Sequence, residues 1–166
     1  MSKRIPLTQG KVAIVDDADF LWLNEHKWHV TIHSSRCYAV RHAKDNGRRS
    51  KVYMHRVILD PLFNKDTDHI NGDGLDNRRR NLRACTRSQN QMNKRKGPGC
   101  SSKYKGVNWD KRHHKWQVQI GRRDERQHLG YFDDEREAAG TYNVEARELF
   151  GKFAKVNIIE EETCRN

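Results

Sequence analysis

Within the phrase DHINGDGLDNRRRNLRACTRSQNQMNK an acid and an imidazole stand side by side as Asp68 and His69, and two carboxamides follow at Asn81 and Asn90. Between them lie the pairs Asn71-Gly72 and Asp73-Gly74, which tolerate the backbone of tight turns, so a strand, a loop and a helix can fold these groups back towards one another. Carboxylate and carboxamide oxygens are hard donors suited to Mg²⁺ or Mn²⁺. An imidazole with an ordinary pKa of about 6.5 is matched to taking a proton from water near neutral pH. The competing account of the phrase is a polar loop rich in Asn and Gly with a satisfied aspartate.

The elements that must position these groups can be read from the flanking sequence. Asp68-His69 reads as a strand end, and a short helix starting at Thr86 or Ser88 presents Asn90 in its first turns. Upstream, residues 1–60 read as strands around one short helix: Val12 and Ile14 alternate with small or polar neighbours, ADFLWLNEH has helical apolar spacing, and Trp28, Val30 and Ile32 alternate as a strand does. A further run around Tyr38 and Val40 is joined to KVYMHRVIL through Asn46-Gly47, a hairpin dipeptide, which places His55 and Arg56 on a strand.

Charge points to a partner. The 166 residues carry 33 basic and 22 acidic side chains, a net charge of +11, with 34% hydrophobic residues and 33% charged, a balance that favours small modules with solvated faces and polyanionic partners. Arg78, Arg79, Arg80, Arg83, Arg87, Lys94, Arg95 and Lys96 follow one another with no acid in that stretch. They read as a nucleic-acid contact, or else as a solvated charge run. No apolar stretch approaches the roughly 18 residues of a membrane span and the start lacks a signal peptide, so a soluble, intracellular protein is expected. Cys37, Cys85, Cys100 and Cys164 include no C-x-x-C pair, which argues against a disulfide framework or a four-sulfur zinc site.

The order Asp68-His69, Asn81, Asn90 resembles the HNH nuclease motif in its phage and intron-associated homing form, over about residues 50–96, with HRVIL upstream and SQNQMN downstream also fitting. The resemblance implies a ββα-metal module that grips one divalent ion, Mg²⁺ or Mn²⁺, with Asp68 and Asn90 as ligands and His69 as general base. Asn is a weaker ligand than the His often found at the last position, so metal and substrate should bind together. Asn81 is expected to pin the loop by hydrogen bonds to backbone. His55 is either a donor or positive charge brought to the phosphate or a structural residue, with Arg56, Arg78, Arg79, Arg80, Arg83 and Arg87 as DNA contacts.

A Gly, Pro and Ser cluster at residues 97–102 reads as a linker, and a second module follows. Trp116, Val118 and Ile120 alternate with Gln117 and Gln119, Leu129–Phe132 makes a further strand after the polar GRRDERQH connection, and Ala139, Tyr142, Ala146, Leu149 and Phe153 mark one face of a helix. From Lys103 to Arg126 the chain is net +5, whereas Asp133 to Lys155 is net −2. Residues 103–157 resemble the ethylene-response-factor type of DNA-binding domain on Tyr104-Lys105-Gly106-Val107, Trp116, Ile120, Leu129-Gly130, Phe132, Glu137-Ala138-Ala139, Tyr142, Ala146 and Phe150-Gly151 to Asn157. The resemblance implies a three-stranded antiparallel sheet in the major groove, backed by a helix. Lys105, Asn108, Arg112, Gln117, Gln119, Arg122, Arg126 and His128 would then face outwards, although Asp110 stands where that family usually has a base.

The expected architecture is α+β: a strand-rich scaffold and nuclease module over 1–96, a linker at 97–102, a three-stranded sheet with one helix over 103–157 and a tail at 158–166. The expected activity is metal-dependent cleavage of double-stranded DNA. One site per chain makes a monomer sufficient for nicking, in the cytoplasm of a bacterial host if the gene is a phage's. The rival expectation is a DNA-binding regulator that retains an inactive nuclease fold.

Overall fold

The computed structural model describes residues 1–33, 36–45, 47–60, 64–97, 99–122 and 125–160, with residues 45 and 122 described by backbone alone. Helices and strands are mixed as small antiparallel sheets and short helices, an α+β arrangement. The chain divides into two units, Met1–Gln91 and Met92–Asn166. Among the described residues no helix is long and apolar enough to cross a membrane.

In the first unit β1 (Ser2–Pro6) pairs with β2 (Val12–Asp16), and α1 (Asp17–Asn24) follows. β3 (His29–His33), β4 (Arg36–Asp45) and β5 (Arg48–Tyr53) form an antiparallel sheet with β4 central. Next come α2 (Met54–Leu59), β6 (Asp66–His69) paired with β7 (Leu82–Cys85), and α3 (Arg87–Met92). Ile5, Ala13, Val15, Leu23, Trp28, Val30, Ala39, Met54, Ile58 and Leu82 make one core. Burying a side chain of Leu23's size is worth about 2 kcal/mol.

Two local readings change. In β2 the core-facing residues are Ala13 and Val15, both fully buried, while Val12 is exposed; a period of two makes the two faces exclusive. Ile14 turns its backbone to another use, donating N–H to Leu75 O at 2.9 Å and accepting from Asn77 N at 2.7 Å. His55 and Arg56 lie on a helix, not a strand, because Met54 and Ile58, four apart, both enter the core as one helical face. The Asn46 expected in the hairpin lies outside the described residues.

In the second unit β8 (Val107–Asp110), β9 (Lys115–Arg122) and β10 (Glu125–Phe132) form an antiparallel sheet with β9 central, and α4 (Glu135–Phe150) packs on it. The strands run through most of GRRDERQH, where alternation of faces matters more than apolarity. Asp134 caps α4 by accepting from Arg136 N and Glu137 N. Val107, Val118, Ile120, Ala138, Ala139, Tyr142 and Ala146 form the core; Leu149 is exposed and Phe153 sits in a 3₁₀ turn past the helix end. Residues expected as a linker pack within this unit, Ser101 Oγ accepting from Trp109 N at 2.8 Å and Ser102 Oγ from Tyr104 N at 2.9 Å.

Gly106 has φ +80°, and a Cβ there would lie 2.0 Å from the Tyr142 ring. Gly106→Ala should therefore destabilise this unit by about 2 kcal/mol or more, read as faster hydrogen exchange of the α4 amides; unchanged protection would show that β8 can move aside.

Candidate active site

The β6–β7 hairpin sets the first two groups. Its register pairs Asp68 with Arg83 and His69 with Leu82, so alternation sends Asp68 and His69 to opposite faces. Arg83 Nε and Nη2 donate to Asp68 Oδ2 at 2.9 and 2.7 Å, and both side chains are largely buried.

His69 leaves the hairpin into a cluster of rings. His55, from α2, meets it edge-on with centroids 4.9 Å apart; Tyr38 lies 6.0 Å from His69, and Tyr53 lies 5.4 Å from His55. His69 Nε2 lies 3.3 Å from Oδ1 of the fully buried Asn77, whose Nδ2 donates to Leu75 O at 3.2 Å. With that amide group engaged, Asn77 Oδ1 faces the histidine as an acceptor, an arrangement that suits the tautomer protonated at Nε2. Burial pushes the His69 pKa below its ordinary value, outweighing the raising effects of Asn77, Asp68, Asp73 and Asp76. Burial therefore favours the uncharged form of the ring.

His55 is pushed down to about 3 by burial, by His69 and by Arg56. Burial thus favours the uncharged ring at neutral pH. Its buried Nδ1 has no hydrogen-bond partner among the described residues, and its ring packs against His69.

Asn81 organises the loop. Its Oδ1 accepts from Asn71 N at 3.0 Å, while its Nδ2 donates to Asn71 Oδ1 at 3.0 Å and Asp76 O at 2.7 Å. Asp76 in turn accepts from Arg78 Nε and Nη2 at 2.7 and 2.6 Å. Gly74 lets the loop press on β4, since a Cβ there would lie 2.3 Å from Cys37 O.

Asn90 is carried by α3, which begins with a reciprocal cap: Gln89 Oε1 accepts from Thr86 N at 2.8 Å and Thr86 Oγ1 from Gln89 N at 3.2 Å. Asn90 is half-buried in that helix. Its amide oxygen, like the Asp68 carboxylate, is a hard donor of the class Mg²⁺ takes. No group of three His, Cys, Asp or Glu side chains gathers to hold a metal among the described residues.

Much of the arginine run is spent inside the unit. Arg78 pairs with Asp76, Arg79 with Asp19 at 2.7 and 2.8 Å, and Arg83 with Asp68, whereas Arg80 and Arg87 are exposed. Arg56 is exposed and 3.3 Å from Asp66. In the second unit Asn108, Gln117, Gln119, Arg126 and His128 share the face away from α4 by register, and Arg112 is exposed in the β8–β9 turn. Lys105 does not face outwards: Nζ donates to Met92 O at 2.5 Å, and burial, with Lys155 nearby, pushes its pKa down to about 8. The Arg122 side chain lies outside what is described.

Residues that sequence reasoning passed over are Asn77, Tyr38 and Tyr53. The only signal for Asn77 was its place between Asp76 and the arginines; Tyr38 and Tyr53 sit in two neighbouring strands, β4 and β5, well upstream of His69, and only the fold brings them near.

Protonating buried His55 opposes folding. From pH 6.5 down to about 3 the unfolded chain holds a proton there that the folded chain does not, so stability is full above 6.5 and falls as pH drops. Urea midpoints at pH 7 and pH 5 should show a loss of about 2 kcal/mol from this group, and His55→Gln should flatten the dependence; equal slopes would refute the assignment.

Residues 61–92 match the HNH endonuclease family. A protein described as an uncharacterized HNH endonuclease, from Acanthamoeba polyphaga mimivirus, is 32% identical over 116 residues, covering 66% of this chain. The chain spans 59% of that relative's length. No solved structure matches. The segment that matches the HNH endonuclease family is the one carrying Asp68, His69, Asn81 and Asn90.

Proposed function

We propose that this chain is a metal-dependent DNA endonuclease of HNH type that hydrolyses phosphodiester bonds and nicks duplex DNA. The observation that carries the reading is His69: a buried imidazole with Nε2 beside Asn77 Oδ1, inside the segment that matches the HNH family.

In this reading the His69 imidazole takes the proton from the attacking water. Asn77 fixes the tautomer and His55 and Tyr38 fix the ring plane, so His55 is a positioning residue. Asp68 and Asn90 would hold a divalent cation, Mg²⁺ or Mn²⁺, which when bound supplies charge stabilisation for the phosphate. Arg83 orients the Asp68 carboxylate through two N–H groups on one oxygen. Asn81 holds the loop from which Asn77 reaches His69.

The second unit supports an anchoring role on DNA. Its three-stranded sheet turns Asn108, Gln117, Gln119, Arg126 and His128 away from the helix; carboxamides suit adenine edges and arginine suits guanine. Tethering such a sheet to a weak cutter raises the cutter's concentration at nearby phosphates. One site per chain breaks one strand.

Supercoiled plasmid with Mg²⁺ should be relaxed by the parent protein and untouched in chelator. His69→Ala should lower the rate by about 10²- to 10⁴-fold. Equal relaxation by His69→Ala would remove the catalytic assignment, and absence of metal-dependent cleavage by the parent would leave the DNA-binding regulator.

A further inference from the structure

The sheet β3–β4–β5 has two unlike faces. Val30, Cys37 and Ala39 belong to the face in or against the core, where Arg41 lies over the Trp28 ring at 5.7 Å. On the opposite face, Tyr38, Val40 and Tyr53 occupy one end, and there the rings of His55 and His69 meet the tyrosines. The rest of that face is open: His42, Lys44, Arg49 and Lys51 are exposed, and His29 and Thr31 half-buried.

The charge on this face is of one sign. The strand positions that alternate onto it include Arg36, Lys44, Arg49 and Lys51 with His29, His33 and His42, and no acidic residue. Cross-strand rungs order them: Lys44 opposite Arg49, His42 opposite Lys51, then Val40 opposite Tyr53. The rungs repeat at about 7 Å, close to the rise of two phosphate steps along the axis of a duplex. The side chains are also mutually braced. His29 and His42 stack at 5.0 Å and 16°, and Lys51 Nζ donates to Thr31 Oγ1 at 3.4 Å while lying 6.0 Å from the Tyr53 ring. The ladder thus leads from exposed cations to the tyrosine that touches His55, one ring from His69.

We propose that this open half-face is a phosphate-backbone track for duplex DNA, in which Lys44, Arg49 and Lys51 hold the strand that runs towards His69. The direction of the track rests on the nuclease reading of His69; the binding does not. Charge complementarity selects the partner, since the face presents point cations without an apolar patch or a carboxylate.

The test uses the full chain in chelator, so that no cleavage confuses binding, with a labelled duplex oligonucleotide and anisotropy from 50 to 300 mM salt. The triple variant Lys44→Gln, Arg49→Gln, Lys51→Gln should bind about tenfold or more weakly at 0.1 M salt, with the log–log salt slope shallower by roughly 2 to 3. A second readout needs no variant: the duplex should protect Lys44 and Lys51 of the parent from acetylation. Parental affinity and slope in the variant, or unprotected lysines, overturns the track; tighter binding of duplex RNA at matched salt overturns the choice of DNA. Plasmid cleavage in Mg²⁺ is scored separately, so a parent that binds but does not cut sinks the nuclease reading while the track stands.

Discussion

Apart from one bridge to Ile14, the backbone between His69 and the 3₁₀ turn at Arg79–Asn81 has no helix or sheet to satisfy it, and each buried polar group left unpaired costs about 1–3 kcal/mol. Carboxamides meet that demand. Asn81 both donates to and accepts from the loop, Asn71 accepts from Asp73 N at 2.8 Å, and Asn77 spans from Leu75 O to His69. A carboxamide offers donor and acceptor from one small group without a charge, so it can be buried where an acid or a lysine would be expensive. The geometry of His69 is a by-product of how this loop satisfies itself.

Electrostatics inside the first unit follow the same economy. Asp19, Asp68 and Asp76 are almost fully buried, and each takes a guanidinium from the basic stretch. A stretch without acids in sequence is therefore not a stretch without counter-charges in space. Removing one partner of such a pair strands a charge in a low-dielectric setting and costs more than the pair itself contributes. The cations of this stretch that remain for an external polyanion are consequently fewer than its run of basic residues suggests, and those on the β3–β5 face gain weight.

Parts of this arrangement were legible in the chain and parts were not. The strand end at Asp68-His69, the turns after it and the helix bearing Asn90 follow from local chemistry: Asn-Gly and Asp-Gly pairs, and a Thr-x-x-Gln cap. The α4 face was visible because Ala139, Tyr142 and Ala146 keep helical spacing. What failed were choices between two periods over short runs. MHRVIL is apolar enough for either state, and burial of both Met54 and Ile58 decides for helix. Alternation in β2 gave the period but not the phase, because Ala13 is small and Ile14 large, yet the smaller residue faces the core. The carboxylate that claims Arg79 lies 60 residues away at Asp19, and no local rule reaches that far.

At Ile14, β2 grips the loop through main-chain atoms, Ile14 N meeting Leu75 O and Ile14 O meeting Asn77 N. Such a contact is indifferent to which side chain sits at position 14, provided the segment stays extended. Evolutionary drift can thus rewrite the scaffold's letters while leaving its grip intact, whereas the carboxamides that it grips have no chemical substitutes. Descendants of a common ancestor would stay recognisable in the loop long after their supporting strands had lost every trace of kinship.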